Sequence, residues 1–168
     1  MPWVASAAEA EAAVSAARYP PRGIRHVVSA TWHRSRGPRA TGFVARPFAD
    51  YLEKAHEETL TIIQIERVEA VEEVEAIAAI DGMDVLFVGP LDLRISMGML
   101  QEFDRPKFLA ALQRVSDAAM AHGKAAGTLI MNPDHVAARK EMGYTFLAYG
   151  SDGSIVTQGM RNAVSLLK

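Results

Sequence analysis

The strongest constraint on the fold is an alternation of short apolar segments with helical ones. Four apolar runs are separated by longer segments with helical periodicity, and they predict strands at 60–65, 84–88, 125–131 and 145–149. These runs are continuous rather than alternating with polar residues, so both faces of each strand are expected to be buried. The order βαβαβαβα predicts an α/β protein with parallel strands covered by helices.

Helical segments fill the intervals between the strands. The predicted helices are 6–18, 47–55, 67–80, 105–121, 133–142 and 155–167. The clearest of them, 105–121, follows Asp104, which is a suitable N-terminal cap. Its apolar residues recur at helical spacing and predict one buried stripe. This stripe comprises Phe108, Leu112, Val115 and Ala119.

Two architectures fit this order of elements: a doubly wound open sheet and part of a (βα)8 barrel. A complete barrel needs about 250 residues, so a chain of 168 residues provides only part of one. The doubly wound alternative would suit a nucleotide-binding domain. It is the weaker one, because the sequence contains no Gly-x-Gly-x-x-Gly motif and no lysine loop that could bind phosphate.

Composition excludes several classes of protein. The chain has no cysteine, which excludes disulfides and thiolate metal sites and is compatible with a reducing compartment. No apolar run approaches the roughly 18 residues of a membrane span, and no signal peptide is visible. The net charge of −2 gives no general attraction to nucleic acid. We therefore expect a single cytoplasmic domain over 1–168, without nucleic-acid or membrane partners.

An arginine-rich segment interrupts the pattern. Between Glu11 and Asp50 the chain has no acidic residue but seven arginines. Within it, 29–46 has neither helical nor strand periodicity and is predicted to be a basic irregular loop. No aromatic ladder or nucleic-acid motif accompanies it, so a solvated loop is favoured over a surface for RNA or an anionic ligand.

Polar residues at the ends of the first two predicted strands are candidates for chemistry. In parallel α/β proteins the functional site lies beyond the carboxyl ends of the strands. Gln64 and Glu66 stand at the end of the first strand, and Asp92 follows the second. Two carboxylates without nearby histidine or cysteine suit Mg²⁺ or Mn²⁺. Spacing alone, however, favours the alternative that Glu66 and Asp92 cap the helices that follow them.

Two motifs at these strand ends resemble the HpcH/HpaI aldolases, metal-dependent class II enzymes of the phosphoenolpyruvate/pyruvate barrel superfamily. The motifs are TIIQIE at 61–66 and DVLFVGPLDL at 84–93. Similarity at 19–25, 123–127 and 150–152 extends the resemblance over nearly the whole chain. It implies the C-terminal half of a (βα)8 TIM barrel, with about four to five parallel strands and covering helices, and it implies a homo-oligomer.

The resemblance also implies roles for individual residues. Glu66 and Asp92 would bind a divalent cation, Mg²⁺ or Mn²⁺, that chelates a 2-oxo acid such as pyruvate and stabilises its enolate. Gln64 would orient the substrate or a metal-bound water. The other implied substrate-binding residues are Gly89, Pro90, Leu91 and Asp92. The implied function is a carbon–carbon lyase acting on 4-hydroxy-2-oxo acids.

The chain also departs from the family pattern. Members carry a catalytic histidine and a substrate-binding arginine on strands upstream of the segment that Pro2-Trp3-Val4 resembles. No histidine of this chain matches that base: His26, His33, His56, His122 and His135. Arg25 matches a family position near the barrel mouth, whereas Arg94 replaces a small hydroxyl residue and could crowd the site. We therefore predict an impaired aldolase, with a non-catalytic half-barrel that binds metal and oxo acid as the alternative.

Overall fold

The computed structural model describes residues 1–26, 47–99 and 106–167. Within them lies a parallel sheet of four strands: β1 (Ile62–Ile65), β2 (Val85–Val88), β3 (Ala125–Ile130) and β4 (Tyr144–Tyr149). The strands are ordered as in the sequence, β1-β2-β3-β4. A doubly wound sheet reverses its strand order at a switch point, so that alternative is wrong. The predicted basic loop at 29–46 and the predicted Asp104 cap lie outside the described residues.

Helices follow the strands as the sequence predicts. They are α1 (Ala7–Ala17), α2 (Phe48–Ala55), α3 (Val68–Glu72), α4 (Val74–Ala78), α5 (Pro90–Ser96), α6 (Pro106–Ala121), α7 (His135–Glu141) and α8 (Asp152–Ser165). The single helix predicted at 67–80 is divided into α3 and α4 at Glu73. The predicted stripe of α6 is confirmed, because all its residues are buried. No helix in the described part of the chain is long and apolar enough to span a membrane.

The first four residues extend the sheet beside β1. Val4 forms a parallel bridge with Ile65. The N-terminal ammonium of Met1 donates to the carbonyl of Ile62 at 2.8 Å, and the amide of Gln64 donates to the carbonyl of Met1 at 2.9 Å. This segment occupies the place of a fifth strand, in agreement with the predicted four to five.

The two faces of the sheet are covered to different extents. Fully buried side chains point toward the helices: Ile63, Ile65, Leu86 and Val88. The opposite face, which we call the inner face, carries partly exposed side chains: Ile62, Gln64, Phe87 and Leu129. The prediction that both faces are buried is therefore wrong for the inner face. In a closed barrel, side chains from the strands all around the barrel fill this space.

An aromatic pair lies in the middle of the inner face. The rings of Phe87 and Phe146 meet edge to face, with their centroids 6.1 Å apart. Gly127 on β3 lies between them, because β3 pairs with both β2 and β4. A Cβ at Gly127 would lie 2.8 Å from Phe87 Cδ2 and 3.1 Å from Phe146 Cδ1. Glycine at this position therefore allows the two rings to approach each other.

A buried arginine connects α1 to the N-terminal ends of the strands. Arg18 is 7% exposed and donates to the carbonyls of His56 and Gly82. Its guanidinium also lies 3.6 Å from the carboxylate of Asp84, which accepts the amide of Thr61 at 2.6 Å. This network lies at the end of the sheet opposite to the one where chemistry occurs in barrels. We therefore assign it to stability.

Candidate metal centre

Glu66 follows β1 directly and is fixed by two hydrogen bonds. Its side chain is on the same side of the strand as Ile62 and Gln64, because side chains alternate along a strand. Oε2 accepts the amide of Trp3 at 2.9 Å, and Oε1 accepts Nε2 of Gln64 at 3.1 Å. Glu66 is only 7% exposed. Each carboxylate oxygen thus accepts one hydrogen bond from the described residues and retains further lone-pair capacity.

Gly89 lies directly against the Glu66 carboxylate. Ile65 and Val88 are register partners in the β1–β2 pair, so the residues that follow them are neighbours. The amide of Gly89 donates to the carbonyl of Ile65 at 3.2 Å. A Cβ at Gly89 would lie 2.6 Å from Oε1 and 2.7 Å from Cγ of Glu66. Any larger residue at position 89 would therefore displace the carboxylate.

Asp92 lies in the first turn of α5, which begins at Pro90 next to this contact. Helix α5 has Gly89 at its N-cap and no side-chain cap, and α3 also has no side-chain cap. The alternative in which Glu66 and Asp92 cap the following helices is therefore wrong. Asp92 is half-buried, and its carboxylate accepts no hydrogen bond from the described residues. Leu91, between Pro90 and Asp92, is 54% exposed.

This donor set fits a hard divalent cation. Mg²⁺ takes one or two protein carboxylates and fills its remaining positions with water and substrate oxygens. Glu66, directly after β1, and Asp92, in the first turn of the helix that follows β2, would supply such a pair, and Gly89 places no side chain against the Glu66 carboxylate. Among the described residues no group of three or more histidines, cysteines or acidic residues could hold a metal ion.

The histidines within the described residues are either exposed to solvent or placed on other parts of the fold than Glu66 and Asp92. His56 follows α2 near Arg18, and burial, followed by the charges of Arg22 and Arg18, lowers its pKa. His122 is exposed after α6, at the N-terminal side of β3. His26 is also exposed. His135 is on α7, on the helix-facing side of the sheet, and His33 lies outside the described residues.

The two arginines that the family pattern singled out occupy unexpected places. The guanidinium of Arg25 lies 4.6 Å from the centroid of the Tyr19 ring, and its amide donates to the carbonyl of Arg18 at 2.9 Å. The Arg18 side chain lies at the N-terminal ends of the strands. Arg25 is therefore near that end of the sheet, and its expected position near the barrel mouth is wrong. Arg94 is 2% exposed, and its Nε donates to the carbonyl of Pro90 at 3.2 Å. Burial lowers the pKa of the Arg94 guanidinium.

Trp3 is a residue of this centre that sequence reasoning missed. Its backbone φ of 61° is in the left-handed region, which is uncommon for a bulky residue. In this conformation its amide reaches the Glu66 carboxylate. The indole is 56% exposed, and the guanidinium of Arg67 lies 5.9 Å from its ring centroid. The contact joins residues 63 positions apart, and no local pattern in the sequence indicates it.

Parallel strands in sequential order with covering helices are the arrangement of a TIM barrel, of which this chain forms a part. The sequence pattern of the HpcH/HpaI aldolase/citrate lyase family matches residues 1–159, and the chain belongs to this family. The resemblance drawn from the sequence motifs is thus confirmed.

Curated relatives are aldolases of greater length. Hydroxypyruvate/pyruvate aldolase of Cupriavidus necator is 40% identical over 161 residues, which make up 96% of this chain and 57% of the relative. The 4-hydroxy-2-oxo-heptane-1,7-dioate aldolase of Salmonella paratyphi C is 36% identical over 159 residues, or 95% of this chain and 57% of the relative. The chain therefore spans less than two thirds of these relatives.

Solved structures agree with the sequence relatives. A HpcH/HpaI aldolase/citrate lyase family protein from Burkholderia cenocepacia superposes with a TM-score of 0.86 at 32% identity, covering 98% of this chain and 62% of that one. A HpcH/HpaI aldolase from Desulfitobacterium hafniense gives a TM-score of 0.86 at 27% identity, covering 100% and 62%. The half-barrel seen here thus has the same fold as the matching part of these proteins.

Proposed function

We propose that this chain is the metal-binding half of a carbon–carbon lyase that acts on 4-hydroxy-2-oxo acids, with Glu66 and Asp92 as the metal ligands. The observation that carries the proposal is the Glu66 carboxylate, fixed by Trp3 and Gln64 and in direct contact with Gly89. The aldolase names of the two relatives support the reaction type. The absence of cysteine is compatible with a cytoplasmic location.

In this proposal some residues of the centre bind the metal and others orient the substrate. The cation, Mg²⁺ or Mn²⁺, would polarise the carboxylate and keto oxygens of a 2-oxo acid such as pyruvate and stabilise negative charge on its enolate. Gln64 supports Glu66 and orients the substrate. Gly89 and Pro90 form a turn that leaves space for the substrate. The amides of Leu91 and Asp92 face its carboxylate.

Proton transfer is the step for which this chain is poorly equipped. A positioned acid or base adds typically about 10²–10⁴-fold to a rate. No histidine in the described residues is hydrogen-bonded to the Gln64–Glu66 pair. We therefore propose impaired aldol chemistry for this chain by itself. A half-barrel that binds metal and oxo acid without turnover is the second candidate, and the same observation favours it.

Deuterium exchange into pyruvate tests the proposal. With Mg²⁺, the chain should promote slow exchange of the methyl protons, because metal chelation alone acidifies them. Glu66→Ala should abolish this exchange, whereas Glu69→Ala, at an exposed carboxylate two positions from Arg67, should leave it unchanged. Cleavage of a 4-hydroxy-2-oxo acid should stay weak or undetectable.

Two outcomes would contradict this proposal. Cleavage at ordinary enzyme rates, about 1–10³ s⁻¹, would mean that an efficient base is present and that the chain is not impaired. Exchange that persists unchanged in Glu66→Ala would mean that the carboxylate does not hold the metal. No exchange at all, with metal bound, would favour the non-catalytic candidate.

We also propose that the chain forms homo-oligomers. Among the strands of the described residues, β4 pairs with β3 alone, and its outer side chains are exposed, with Tyr149 at 54%. The inner face carries Phe87 and Phe146 only partly covered. Unpaired strand edges and apolar surface favour association.

Sedimentation equilibrium at micromolar concentration should show a dimer or a larger species. Phe146→Glu, which places a charge on the exposed apolar inner face, should shift the equilibrium toward monomer. Lys140→Glu, on the exposed surface of α7, serves as the matched control and should not. A stable wild-type monomer over the whole concentration range would contradict this prediction.

A further inference from the structure

A cavity of about 250 Å³ lies on the helix-facing side of the sheet, and of the residues proposed to bind metal or substrate it is lined by Pro90. Its floor is apolar and is formed by Phe108 and Leu112 of α6 and Ile130 of β3. Arg139 of α7 lines its polar side. Pro90 closes it toward β2. Side chains alternate along strands, so Ile130 points away from the inner face on which Gln64 and Glu66 lie.

Arg139 is the unusual member of this cavity. The residue is only 7% exposed, and its Nη1 contacts the Met142 sulfur at 3.4 Å. Within the described residues, no carboxylate forms an ion pair with it. Its guanidinium nitrogens are not among the buried side-chain atoms that lack a hydrogen-bond partner, so those that make no hydrogen bond are accessible to solvent and can donate to an anion. Its neighbour Lys140 is exposed and shows the solvated position that a cation on α7 normally takes.

We propose that this cavity binds a small carboxylate with a short apolar or aromatic body. Arg139 would pair with the carboxylate, since a guanidinium presents two parallel donors that match its two oxygens. The apolar body would pack on Phe108 and Leu112. The volume lies just below the roughly 300–1,000 Å³ typical of pockets for drug-sized ligands. It therefore limits the ligand to about the size of a substituted benzoate or a short-chain acid.

The test uses the full chain with sodium benzoate as probe and uncharged benzamide as its matched control. In amide and methyl NMR spectra, millimolar benzoate should cause saturable shifts at Leu112, Ile130 and Arg139, and benzamide should cause none there. Arg139→Gln should weaken benzoate binding about tenfold or more, because a charge-assisted hydrogen bond is lost. Lys140→Gln removes the same charge from the surface of the same helix and should bind benzoate as wild type does.

Two further variants test whether benzoate binds at the metal centre instead, and whether the effect of Arg139→Gln reflects misfolding. Glu66→Gln should retain benzoate binding, and its loss there would assign the probe to the metal centre and overturn the proposal. Arg139→Lys keeps the charge but not the paired donors, so it should bind benzoate more weakly than wild type even if Arg139→Gln does not fold. Equal shifts with benzamide, or benzoate shifts that avoid the cavity, would also overturn it.

Discussion

Replacing Gly89 with alanine is expected to lower the affinity of the chain for Mn²⁺ by about 10–100-fold, the range seen when a residue that orients a metal ligand is changed. The new Cβ would lie 2.6 Å from Oε1 of Glu66, a distance at which one of the two groups must move. The backbone of Gly89 is held in place by its hydrogen bond to Ile65, so the carboxylate has to give way. Electron paramagnetic resonance of free Mn²⁺ during a titration measures the affinity directly.

Gly159→Ala is the matched control for this experiment. It makes the same change within α8, where a Cβ would meet no atom within 4 Å. Its Mn²⁺ affinity should equal that of the wild type. A Gly89→Ala protein that binds Mn²⁺ as tightly as the control would show that Glu66 is not a ligand or that its position is irrelevant.

Truncation of Leu86 to alanine should lower the free energy of unfolding by about 2–5 kcal/mol, far more than the same truncation at an exposed leucine. Leu86 lies on β2 inside the sheet, fully buried against the helices, so its removal leaves a cavity. Domains of this size are stable by only about 5–15 kcal/mol, so the unfolded fraction should rise markedly. Urea denaturation followed by circular dichroism measures the difference.

Leu60→Ala provides the comparison for the same chemical change outside the core. Leu60 is 57% exposed before β1, and surface substitutions usually change stability by less than about 0.5 kcal/mol. If Leu86→Ala and Leu60→Ala destabilise the chain equally, the packing of β2 against the helices contributes less than the structure indicates.

The order of elements could be predicted because each strand is a short apolar run and each helix has its own periodicity. β2 and the stripe of α6 follow directly from such local patterns. The division of the helix predicted at 67–80 could not be predicted, because its apolar residues keep helical spacing across Glu73. The backbone hydrogen bonds also continue past the break, since the amide of Ile77 donates to the carbonyl of Glu73. The exposed inner face was also not predicted. Continuous apolar strands indicate what a complete barrel would bury, not whether the covering strands belong to the same chain.

The candidate site was predicted in part. Parallel strands bring their carboxyl ends together, so the neighbourhood of Glu66 and Gly89 follows from the strand pattern and the register. The contact of the Trp3 amide with Glu66 depends on the path of a segment far away in the sequence. The location of Arg25 depends in the same way on tertiary packing, here on Tyr19, rather than on its motif. Motifs thus indicate the candidate ligands, whereas the residues that orient these ligands become apparent only from the folded structure.

Helix α8 gives the chain an uneven distribution of local stability. It is closed at its start by reciprocal hydrogen bonds between Ser151 and Ser154, yet none of its residues is buried. A helix of this length in which no residue is buried gains little stability from tertiary packing and is marginal in water. Its amides should therefore exchange with solvent deuterium through local opening, while those of β2 exchange only when the whole chain unfolds. Local opening of α8 should therefore leave the sheet that bears Glu66 intact.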